Sequence, residues 1–171
     1  MNNNKKNSIL IVDDNPDNLS VLFDYLRNAH FKVLIAEKGE SALKRIKYLK
    51  PDIILLDIMM PEMDGFETCR RLKANEESKD IPIIFMSALN DTVDKVKGFE
   101  LGAIDYITKP VQVEEVLARL KTHLMLCELK NQLKTQNKQL KQEINGDIIK
   151  GACKQKVPSE TIVSLLEKTF L

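Results

Sequence analysis

The chain is predicted to fold as a doubly wound α/β domain around a five-stranded parallel sheet, with an extended C-terminal helix. Three observations lead there. Short β-rich runs alternate with amphipathic helical stretches between Ser8 and Leu124. Two of the runs are apolar almost throughout, as strands covered by helices on both faces are. After Pro110 there is neither Gly nor Pro until Gly146, so one helical pattern outlasts what a single domain needs.

The elements follow in order. The first run, Ile9 to Val12, stops at Asp13-Asp14, and Asn15-Pro16-Asp17 then reads as a turn or helix start. The helix after it carries Leu19, Leu22, Phe23 and Leu26 inside, with Asp24 and Arg27 outside. Val33 to Ala36 is the second run, followed by Glu37-Lys38-Gly39. The third, Ile53 to Leu56, stops at Asp57, and the fourth, Ile83 to Met86, at Ser87. Ala103 to Ile107 is the fifth, with Lys109-Pro110 just beyond. Val113, Val116, Leu117, Leu120 and Leu124 then form a helical face for the sheet. Repeated β-then-α units of this kind build parallel sheets with right-handed crossovers.

Composition narrows the function classes. The 171 residues are 43% apolar and 30% charged, enough for one folded domain and an appendage. No apolar stretch approaches a membrane span, and the short run after Lys5-Lys6 is no secretory signal. A net charge of +1, no Trp and 5% aromatic residues speak against a nucleic-acid surface. Cys69, Cys127 and Cys153 are scattered without a C-x-x-C pair, which fits a reducing cytoplasm better than disulfides or zinc.

Ligands of open α/β sheets bind beyond the carboxyl ends of the strands. Asp13, Asp14, Asp57, Ser87 and Lys109 all fall there. Any one of these acids alone would read as a turn or helix cap. Together the carboxylates repel one another unless a cation sits among them, and all-oxygen ligation with room for water suits Mg²⁺. Asp57 is then a candidate nucleophile toward a phosphoryl donor, with the metal, Lys109 and Ser87 stabilising charge on the transferred group.

Val12-Asp13-Asp14, Leu56-Asp57-Ile58-Met59-Met60-Pro61-Glu62-Met63-Asp64-Gly65, Ser87-Ala88 and Gly102 to Pro110 resemble the receiver domain of two-component response regulators. The resemblance implies a flavodoxin-like fold over 8–124. It implies that Asp57 accepts phosphate from a histidine kinase or histidine phosphotransfer protein. Asp14, Asp57 and the backbone carbonyl of Met59 would bind Mg²⁺ directly, and Asp13 through water. Lys109 and Ser87 would contact the phosphoryl group, with a cis Lys109-Pro110 bond. Ser87 and Tyr106 would form the switch, and apolar Met59 and Leu89 beside the approach to Asp57 imply slow dephosphorylation. Such a protein is a phosphoacceptor with self-catalysed transfer and dephosphorylation, otherwise not an enzyme. A small-molecule phosphohydrolase would need an acid/base Asp where Met59 stands.

The remainder divides into a disordered N-terminus (1–7), a helical extension (125–145) and a short C-terminal segment (146–171). Leu126, Leu133 and Leu140 recur every seven residues with Leu129 between and Gln136 breaking the seam, which suggests a coiled coil. Residues 126–156 hold seven lysines and three acids, a solvated face rather than a nucleic-acid contact. Gly146 and Gly151 are expected to interrupt the helix, and Pro158-Ser159-Glu160 to start a short amphipathic one ending near Phe170. Self-association could use this helix. It could instead use the face of the fourth helix, fifth strand and fifth helix, where Lys95 and Glu115, and Asp105 and Arg119, resemble the charge pairs that join some receivers. No output domain is recognisable, which leaves open a receiver cut from a larger hybrid kinase or multidomain regulator.

Overall fold

The computed structural model describes residues 6–88 and 92–154. The expectations for the first five residues, for Leu89 and for the segment from Pro158 to Phe170 lie outside the described residues. The elements are β1 (Ser8–Val12), α1 (Pro16–Asn28), β2 (Lys32–Ala36), α2 (Gly39–Ile46), β3 (Ile53–Asp57), α3 (Gly65–Ala74), β4 (Ile83–Ser87), α4 (Thr92–Glu100), β5 (Asp105–Thr108) and α5 (Val113–Lys154).

All strands run parallel in the order β2-β1-β3-β4-β5. Successive side chains of a strand point to opposite faces, so continuous apolar runs feed two cores. Leu10, Val12, Ile54, Leu56 and Phe85 join residues of α2 and α3 on one face. Ile9, Ile11, Leu55, Met86 and Ile107 meet α1 and the first turns of α5 on the other. Val116, Leu120 and Leu124 are buried there, with Val113 and Leu117 packed partly against them.

Three details depart from the sequence reading. First, β5 begins at Asp105 rather than Ala103. The Ala103 N–H donates to the Gly98 carbonyl and closes the end of α4, and Gly102 takes φ +92° to make that turn. Second, Tyr25 rather than Phe23 packs on the inner face of α1. The Phe23 ring instead lies 5.9 Å from the Arg27 guanidinium. Third, α5 passes Gly146 and Gly151 without a break. A glycine weakens a helix by about 1 kcal/mol relative to alanine but keeps both backbone hydrogen-bonding groups.

The chain separates into two compact units, Met1–Leu124 and Met125–Leu171. Among the described residues no helix is long and apolar enough to cross a membrane.

Candidate functional site

β1 lies between β2 and β3, so the chain leaves its end toward one face and returns over the other. A cleft opens at that switch point. Asp13 and Asp14 follow β1 directly. The Asp13 N–H still donates to the Ala36 carbonyl at 3.2 Å, extending the pairing with β2 by one residue. Asp13 is therefore buried, while Asp14 is exposed.

Asp57 is the last residue of β3, in register with Met86, and is buried. The chain must then turn sharply into α3. The Gly65 N–H donates to the Ile58 carbonyl at 2.9 Å. A Cβ at Gly65 would overlap the Asp57 carbonyl oxygen and come within 2.7 Å of Ile58 Cα. Glycine is thus the residue that lets the loop fold back onto the strand. Asp64 before it caps α3, accepting from the Glu67 N–H at 2.7 Å.

Lys109 completes the cleft from β5. Its backbone N–H donates to the Ser87 carbonyl at 2.8 Å, and the Lys109–Pro110 bond is cis. Its Nζ lies 2.8 Å from Asp13 Oδ2 and 2.8 Å from Asp57 Oδ2. Burial pushes the Asp57 carboxyl above its ordinary pKa, only partly countered by the bond from Lys109. Burial also opposes the Lys109 charge, but its bonds to Asp13 and Asp57 win and hold the ammonium above the usual lysine value. Asp13, Asp14 and Asp57 each present a carboxylate oxygen within 4.8 Å of the others. That cluster of anionic oxygens, one member open to solvent, is a donor set for a hard divalent cation. The Met59 N–H donates to Asp57 Oδ1 at 3.3 Å, and Met59 is 61% exposed.

The expected residues thus separate into tiers. Asp13, Asp14, Asp57 and Lys109 meet in one cleft. Ser87, buried, ends the next strand at the same edge. Tyr106 pairs with Phe85, two residues back from Ser87, and is buried with the Lys95 ammonium 5.5 Å from its ring centroid. Asn18 was not singled out from the sequence. Its amide donates to Asp13 Oδ1 at 3.3 Å and Oδ2 at 3.1 Å, beside the Asn15 N–H at 2.8 Å. The available signal was its place in the first turn of α1, directly after the strand that delivers Asp13. The charges flagged for self-association are partly engaged within the chain. Arg119 donates to both Asp105 oxygens at 2.9 Å and to Glu115, and His123 Nε2 lies 2.8 Å from Asp105 Oδ2.

Comparison with known proteins places this geometry. Residues 9–121 match the family model described as the response regulator receiver domain. A Vibrio cholerae protein named "Probable cyclic di-GMP phosphodiesterase" is 39% identical over 137 residues, which is 80% of this chain and 31% of that protein. The alkaline phosphatase synthesis transcriptional regulatory protein PhoP of Bacillus subtilis is 42% identical over 126 residues, 74% of this chain and 51% of that protein. The chain therefore spans about half or less of the length of these curated relatives. The receiver domain of a Pseudomonas aeruginosa sensor histidine kinase superposes with a TM-score of 0.64 at 29% identity, covering 70% of this chain and 98% of that one. That structure carries a magnesium ion coordinated in its active-site cleft.

Proposed function

The chain belongs to the response regulator receiver family of two-component systems, and we propose on that premise that Asp57 accepts a phosphoryl group from a histidine kinase or histidine phosphotransfer protein. The observation that carries this reading is the buried Asp57 carboxylate at the end of β3, held 2.8 Å from the Lys109 ammonium beside two further aspartates. An Asp57 oxygen attacks the phosphorus in line. The phosphorus–nitrogen bond to the donor histidine breaks, and its electron pair returns to the imidazole. Catalysis here is positioning and charge stabilisation more than proton transfer. Lys109 and the Ser87 hydroxyl serve the phosphoryl oxygens, and raising Asp57 by burial keeps its carboxylate reactive rather than solvated.

Asp14, Asp57 and the Met59 carbonyl are the direct Mg²⁺ ligands in this reading, with Asp13 acting through water. The metal supplies positive charge against the transferred group. The all-oxygen donor set and the metal in the Pseudomonas relative support it. The new phosphate adds about 1.5 to 2 negative charges. The Ser87 hydroxyl moves to meet it, and Tyr106 follows into the vacated space, so a pre-existing population of the switched state grows. Apolar Met59 at the approach does not orient a hydrolytic water, which makes the phosphorylated state long-lived. Output is by contact with other proteins, and the free thiol of Cys69 is consistent with a cytoplasmic setting. Phosphodiesterase and transcriptional roles belong to the relatives that bear those names.

The test uses the full chain with a small acyl-phosphate donor and Mg²⁺, read on a phosphate-affinity gel. A retarded band is expected for the wild type and none for Asp57→Ala. A shift that persists in Asp57→Ala overturns the assignment.

A further inference from the structure

The second unit presents an apolar seam that no side chain among the described residues covers. Leu126, Leu129, Leu133, Leu140 and Ile144 are between 44% and 59% exposed. Leu126, Leu133 and Leu140 stand at successive a positions of a heptad, Leu129 and Gln136 at d, and Glu143 at the last d. We propose that residues 126–144 form a parallel, in-register, two-stranded coiled coil with a second copy of this chain.

Charge placement selects a second copy as the occupant. Of the lysines in this stretch, Lys134 and Lys141 fall at b and Lys138 at f, all turned away from the seam. Only Lys130 lies at a flanking e position, and the g positions are Met125, Gln132 and Gln139. Across a parallel pair each e residue meets the preceding g of its partner, so Lys130 faces Met125 and Asn137 faces Gln132. No like charges meet along the flanks. An anionic membrane calls for a broad apolar face with aromatic anchors, and residues 126–144 contain no aromatic residue and no arginine.

The polar layers select the orientation. In a parallel in-register pair every leucine of the seam meets its own copy, Gln136 meets Gln136, and the exposed Glu143 meets Glu143 at the last layer, the one repulsive contact of the seam. Matched glutamines satisfy each other's amides, and such a polar layer fixes alignment at some expense in stability. An antiparallel pair over the same span would set Leu126 against Glu143 and Leu133 against Gln136. Each of those leucines would then face a polar group that it cannot satisfy.

The proposal is independent of the phosphoacceptor reading, because the seam lies wholly outside 8–124. Sedimentation equilibrium of the full chain is expected to give twice the chain mass for the wild type and for Asp57→Ala. Leu133→Glu is expected to shift it to the monomer mass with the helical circular dichroism of the receiver retained, and Lys138→Glu to leave the dimer intact. A monomeric wild type, or a dimer that survives Leu133→Glu, overturns the proposal. Orientation is read from Leu126→Cys in a background with Cys127→Ser and Cys153→Ser. Cys69 remains as a silent thiol, since burial pushes it up to about 11. Oxidation is expected to join the two copies covalently through position 126; a persistent dimer that does not cross-link overturns the parallel register.

Discussion

Asp13 is a fully buried carboxylate, and a buried charge survives only where hydrogen bonds and opposite charge replace water. Three donors do so: the Asn15 N–H, the Asn18 amide and the Lys109 ammonium. Lys109 is shared with Asp57, so it cannot fix the orientation of Asp13 alone. The Asn18 amide touches both Asp13 oxygens and, among the described residues, no competing partner. Groups that orient a metal ligand commonly change metal affinity by about 10- to 100-fold when removed. Asn18→Ala is therefore expected to weaken Mg²⁺ binding by about tenfold, read by calorimetry on the unphosphorylated chain. An unchanged affinity would show that Asn15 and Lys109 suffice. The acids and Lys109 were legible in the sequence because each stands directly after a buried strand, where chemistry collects. Asn18 was not, because an asparagine in the first turn of a helix ordinarily serves the helix itself.

Single elements carry their own strain, and α1 shows it most directly. Its end is a Schellman closure: the His30 N–H donates to the Arg27 carbonyl and the Phe31 N–H to the Leu26 carbonyl. Phe31 packs onto the core cluster that contains Leu26, completing the motif. The closure demands a left-handed residue at position 30, and His30 supplies it with φ +69°. That conformation costs a side-chain-bearing residue about 1–2 kcal/mol, while glycine gives back about 0.5–1 kcal/mol through the freedom it gains in the unfolded chain. His30→Gly is expected to stabilise the fold by about 0.5–1 kcal/mol, as a higher urea midpoint at unchanged slope. A lower midpoint would mean that the imidazole contributes contacts worth more than the strain. Elements of this chain were easier to locate than their ends. Strand identity came from apolar runs, which burial on both faces enforces, whereas the start of β5 was set by the Ala103 N–H closing α4. The glycines of α5 misled for a related reason: glycine lowers helix propensity locally, and a long helix absorbs two such losses.

At the scale of the molecule, the candidate site and the apolar cores of the described residues fall in one unit. Every buried apolar side chain among the described residues falls between Ile9 and Leu124. The site uses strand ends, loops and the first turn of α1 within the same span. The alternation of strands and helices over this span was legible in the sequence because it is a local pattern. The sequence reading names Asp105 and Arg119 as a pair between copies, whereas within one chain they meet, with His123, because α5 lies beside β5. The division of labour has a direct consequence. Ending the chain at Leu124 removes no member of either core cluster, while the exposed leucines beyond it leave with the seam they form. The shortened chain is expected to unfold in urea in one cooperative transition, with the same midpoint and slope as the receiver transition of the full chain, because the slope follows the surface exposed on unfolding. It is also expected to keep the Asp57-dependent gel shift. A midpoint displaced downward by truncation would mean that residues 125–171 stabilise the receiver, and that the switch and the tail share one folding unit rather than two.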